Sequence, residues 1–191
     1  MPIAKIMSFA LQTGIVAVSI ILAILCVCRA LPVRIAKVYA FNFALCLLGW
    51  EIWMTYGVIG GQSEQDRLGV TTNPVLNMSI MSAGDALVGV AQVEATLKAF
   101  GPHAFKKWNW KAFALIFGIG IVQNLAITFI LRKRLEAGKL SLAPMMPIRA
   151  PGLVMNQEGW IIQPFIFYAV LIRFHKEILD ISDEPYRGTG I

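Results

Sequence analysis

Apolar residues in this chain run in long blocks separated by short polar breaks, not in alternating patches. The blocks cover about Ser8–Val27, Val38–Val58, Val75–Phe100, Ala112–Leu131 and Trp160–Phe174. A helix needs about 20 largely apolar residues to cross a bilayer. The pattern therefore predicts an all-α fold, a polytopic membrane helix bundle of about five transmembrane helices. Residues 1–177 read as a single helical domain and 178–191 as a polar tail with frayed ends. The fifth block is short and contains Pro164, which predicts a broken or tilted helix there. The first block is longer than the apolar core of a signal peptide, about 7–15 residues, and no A-x-A-like site follows it. It is expected to be a retained span. The longest loop, Glu136–Gly159, is broken by Pro144, Pro147 and Pro151 and is partly apolar. It reads equally well as a lid on the membrane face and as a plain connector.

Composition sharpens this picture. Of 191 residues, 57% are hydrophobic and 15% are charged, against about 25% charged in an average soluble domain. That balance excludes a disordered chain, a nucleic-acid module and most soluble enzymes. The net charge of +6 then belongs to loops facing anionic lipid. The expected partners are membrane lipid and a lipophilic small molecule, with no nucleic acid; self-association is left open. The expected location is a bacterial inner membrane or the endoplasmic reticulum. With the N-terminus outside, the inner side would hold slightly more basic residues, among them Arg29, Arg34, Lys37, Lys106 and Lys107. The cluster Arg132-Lys133-Arg134 on the other side weakens that preference. Trp108-Asn109-Trp110, preceded by two lysines, reads as an interfacial aromatic belt, and Trp160 and Arg173 flank the fifth block in the same manner. Cys26, Cys28 and Cys46 lie in apolar runs and read as buried structural thiols, with no disulfide framework.

Ionisable groups at membrane depth are costly, so each is a candidate for function. Glu51 sits within the second block, and nothing on its own helical face neutralises it. Asp85 lies on a polar stripe of the third block, where Ser82, Asp85, Gly89, Gln92 and Thr96 share one face, extended by Met78 and Met81. Such a stripe faces the bundle interior. These two acids are the catalytic candidates; hydrogen-bonded helix glue is the competing reading for both. Glu94 falls on the opposite face, four residues before Lys98, and an ion pair along the helix accounts for it.

Trp50, Trp53 and Tyr56 surround Glu51 in sequence and are candidates to shield a cationic substrate, or else packing and interface anchors. Asn77, Ser82, Gln92, Gln123 and Asn124 complete the candidate substrate-binding set. Gln123 or Asn124 would orient a catalytic carboxyl or a ligand; alternatively Gly120, Asn124 and Thr128 form a packing face. Asn42 and Gln163 are of the same kind. His103 and His175 end separate segments and read as isolated interfacial histidines. There is no G-x-S-x-G, H-E-x-x-H, P-loop or GxGxxG. No metal and no cofactor is expected.

The run Asn42–Gly57, with Trp50-Glu51 inside an apolar helix and Tyr56 beyond it, resembles the Trp-Glu helix of integral-membrane terpene cyclases. More distantly, the acids within helices are similar to those of the emopamil-binding-protein group of sterol isomerases. The resemblance implies acid-initiated carbocation chemistry on an isoprenoid or sterol-like lipid, with Glu51 as the motif's acid and Asp85 as a second. The departures are specific. The cyclases have seven helices, their Asn lies closer to the Trp-Glu pair, and Asp180 lies beyond the last block. Two other classes stay open: a non-catalytic lipid-binding subunit or scaffold, and a small proton-coupled carrier.

Overall fold

The computed structural model describes residues 3–51, 73–135 and 163–181, and these form helices with no strand among them. In chain order the helices are α1 (Ile3–Val27), α2 (Val33–Cys46), α3 (Pro74–Phe100), α4 (Trp110–Leu135), α5 (Gln163–Arg173) and α6 (His175–Leu179). A π-helical turn, Leu47–Glu51, continues α2, and a 3-10 turn, Pro102–Phe105, links α3 to α4.

Local chemistry sets the helix ends. Asn73 caps α3, its side chain accepting the Leu76 N–H at 3.1 Å, with Pro74 in the first turn where its missing N–H costs nothing. Gly101 ends α3 at φ +70°, a conformation that favours glycine. Asn109 accepts the N–H groups of Lys111 and Ala112, so Trp108-Asn109-Trp110 is a helix start as well as an aromatic cluster. Pro164 is the second described residue of α5, and residues 160–162 of the expected fifth segment lie outside the described residues. Cys28 lies past the end of α1 and is exposed, so of the three thiols only Cys46 is fully buried.

Helix α3 is the hub and packs against α1, α2 and α4. Glycines permit the close approaches. A Cβ at Gly89 would collide with the Asn42 carboxamide, whose Cγ would lie 2.8 Å away. One at Gly120 would meet the Gln92 amide at 3.4 Å. The core gathers Val38, Val93, Phe105, Ile116, Phe167 and Tyr168, all buried. At one end of the bundle the start of α2, the end of α3 and the end of α5 with α6 come together. There Arg34 holds Glu94 in a two-pronged ion pair at 2.9 and 3.0 Å, and Lys37 pairs with Asp180 at 2.5 Å. The Tyr168 hydroxyl donates to the Ala104 carbonyl at 2.5 Å and accepts from the Asn109 N–H at 3.3 Å. Successive helices α2 to α5 therefore run antiparallel. Glu94 faces Arg34 of another helix and not Lys98 of its own, as spacing alone had it; packing brings α2 nearer than the next turn of α3.

Among the described residues, Phe9–Val27 of α1 is the one stretch long and apolar enough, by length and composition, to cross a membrane. Its side chains lie largely on the outside: Phe9, Ile20, Ile21 and Ile24 are each more than half exposed. The apolar stretches described with side chains in α4 and α5 are Trp110–Gln123 and Gln163–Arg173, and the polar stripe makes α3 less apolar than α1.

Candidate functional site

Amides, a thiol and a carboxyl from four helices meet inside the bundle. Helix α2 brings Asn42 and Cys46, which stand one turn apart and are both buried. Helix α3 brings Ser82, Asp85 and Gln92. Helix α4 brings Gln123, and α5 brings Gln163.

Asp85 is the centre. Its Oδ1 accepts the Gln123 amide at 2.6 Å. The backbone carbonyl of Asp85 accepts the Asn42 amide at 2.8 Å. Cys46 contacts the Asn42 side-chain oxygen at 3.8 Å and receives the Gln163 amide. Two turns along α3, Gln92 donates to the Ile116 carbonyl at 2.8 Å, tying α3 to α4, and Thr96 turns back to the Gln92 carbonyl at 2.7 Å. Met78, Ser82, Gln92 and Thr96 are all buried, so the polar stripe of α3 faces inward. Ser82 is fully buried, and its Oγ has no hydrogen-bond partner.

The depth of this layer follows from helix geometry. Asn42 stands eight residues beyond Arg34 on α2, and Asp85 nine before Glu94 on α3. At about 1.5 Å per residue, both lie about 12–14 Å inward from the ion pairs. By the same measure the Glu51 backbone is about 13 Å further along, at another level of the bundle. Among the described side chains, the one α4 brings to the Asp85 carboxyl is Gln123.

The other candidates fall as follows. Trp53 and Tyr56 lie outside the described residues, and Trp50, Glu51, Asn77 and Asn124 are described in backbone only: the first two in the π-helical turn, Asn77 in the first turns of α3, and Asn124 next to Gln123 on α4. The loop Glu136–Gly159 also lies outside the described residues. At the ionic end, Glu94 raises the already high pKa of Arg34, chiefly through their hydrogen bond.

Sequence reasoning underplayed Cys46, which it treated as an inert thiol. The readable signal was its place one turn after Asn42 on the same face. No spacing along the chain announces that Gln163 meets it, because that contact joins distant segments. No family model matches the chain, and neither a curated protein nor a solved structure matches it.

Proposed function

We propose that this chain is a membrane-embedded cyclase or isomerase that acts on a lipophilic, isoprenoid or sterol-like substrate by acid-initiated carbocation chemistry. The observation that carries the reading is the Asp85 carboxyl held by the Gln123 amide inside the bundle. An amide donating to one carboxyl oxygen fixes the orientation of the other. The free oxygen can then carry the proton delivered to an epoxide or alkene. Gln123 is a positioning residue. Glu51, at its separate level, would serve a later step such as uptake of the final proton, and Trp50, Trp53 and Tyr56 would shield the cation.

The bilayer setting is part of the proposal. Helices α3 and α4, with 27 and 26 residues, extend about 40 Å, more than the roughly 30 Å of a hydrocarbon core. Asp85 and Gln92 of α3 bond to α4, and the exposed residues of α1 are largely apolar. With the ion pairs at one interface, a layer about 12–14 Å inward falls near the bilayer centre. Five spans are part of the same proposal. Substrate would enter sideways from lipid.

Two bonds favour the second reading, a lipid-binding scaffold. Asn42 to the Asp85 carbonyl and Gln92 to the Ile116 carbonyl join helices and bind nothing else. The deciding experiment is extraction of lipids from purified wild type, Asp85→Asn and Glu51→Gln, followed by mass spectrometry. A discrete isoprenoid or sterol in wild type, replaced by a precursor or another isomer in Asp85→Asn, is the expected result. Bulk phospholipid alone in all three, with altered assembly in the variants, favours the scaffold.

A further inference from the structure

Among the described residues two buried polar atoms have no hydrogen-bond partner, Ser82 Oγ and Trp108 Nε1. The indole has a local explanation. Trp108 sits edge-to-face with Trp110 and Tyr168 at 5.2 and 5.0 Å between centroids, and an aromatic face accepts an N–H weakly. Ser82 has none. Serines and threonines on helices commonly turn back to the carbonyl one turn earlier, as buried Thr96 does here and part-exposed Ser79 does to Val75 at 2.9 Å. Ser82 does not, although it is wholly enclosed. An enclosed hydroxyl without a partner is costly, and hydrocarbon offers it none.

Position makes this hydroxyl informative. Ser82 and Asp85 are three residues apart on α3, so they share a face with their Cβ atoms about 5–6 Å apart. One hydroxyl oxygen between them fits that spacing: it would accept from one of the two groups and donate to the other. We propose that Ser82 and Asp85 together form a binding position for the hydroxyl of a lipid alcohol, so that the ligand of this bundle is an oxygen-bearing isoprenoid or sterol-like lipid and not a bare hydrocarbon. This rests on the reading that a lipophilic molecule enters the polar layer, but not on any chemistry performed there. A lipid hydroxyl both donates and accepts, which a serine and a carboxyl complement in turn. Gln123 keeps the carboxyl aimed at the same point.

The test uses the full chain in lipid nanodiscs and two photoactivatable probes: farnesol bearing a diazirine, and the same chain ending in a methyl group. Wild type is expected to crosslink the alcohol about five- to tenfold more efficiently than the hydrocarbon, the value of one hydrogen bond. Ser82→Ala is expected to lose that preference and to melt no lower than wild type, because it removes an orphan. Ser82→Thr, which keeps the hydroxyl, is expected to retain the preference. Equal capture of both probes by wild type, capture of neither, or an unchanged preference in Ser82→Ala overturns the proposal. So does a marked drop in melting temperature for Ser82→Ala, which would mean that the hydroxyl serves the fold. Turnover that survives Asp85→Asn would sink the catalytic reading while leaving the alcohol preference intact, so the two failures are separable.

Discussion

Asp85 is where a single atom decides between chemistry and glue. Its carboxyl accepts the Gln123 amide of α4 at 2.6 Å, and its backbone carbonyl accepts the Asn42 amide of α2 at 2.8 Å. Asp85→Asn keeps size and shape but removes the acid. It is expected to lower turnover at least about a hundredfold, the ordinary contribution of a general acid, while the melting temperature moves by only a few degrees. A thermal melt beside a product assay reads both. Gly89 makes the complementary case for packing. Gly89→Ala would press a methyl group into the Asn42 carboxamide and is expected to cost about 1–3 kcal/mol, measured as a lower melting temperature in detergent. Loss of the Asn42–Asp85 bond should accompany it.

The helices were readable because their signals are local. The third and fourth blocks coincide closely with α3 and α4, since apolar runs and the Asn73 and Asn109 starts lie within a few residues of one another. The inward stripe of α3 was readable for the same reason: helical spacing alone puts Ser82, Asp85 and Gln92 on one face. What spacing could not supply is the partner across a gap. Glu94 stands one turn from Lys98, so the chain offers that pair first, yet packing sets Arg34 against it with two hydrogen bonds. Gln163 and Cys46 are joined only once α5 has docked. These contacts make predictions for whole elements. Arg34 and Glu94 are each about a third exposed, so a double-mutant cycle is expected to give only about 0.5–1 kcal/mol of coupling, falling with added salt. Tyr168 is fully enclosed; Tyr168→Phe deprives Ala104 of a donor and Asn109 of an acceptor, for about 1–3 kcal/mol.

On the scale of the molecule, antiparallel succession sorts the chain into two ends. Cys28, Lys107 and Asp180 belong with the ion pairs, and Asn73 with the opposite end. In a background lacking the other cysteines, a membrane-impermeant thiol reagent is expected to reach Cys28 and Lys107→Cys from one face of sealed vesicles and Asn73→Cys from the other. Labelling of Cys28 and Asn73→Cys from the same face would overturn the spanning arrangement. The closing contacts also carry a consequence for biogenesis. Helix α2 is synthesised early, but it is completed by residues made last: Gln163 for Cys46 and Asp180 for Lys37. Between those moments the nascent hairpin holds a thiol and a lysine whose late partners are not yet made. A ribosome-stalled or truncated chain ending before Gln163 would present that unfinished face to quality-control proteases. Its half-life in a pulse-chase should be far shorter than that of the full chain, and the last helix would act as the latch that releases the protein from surveillance.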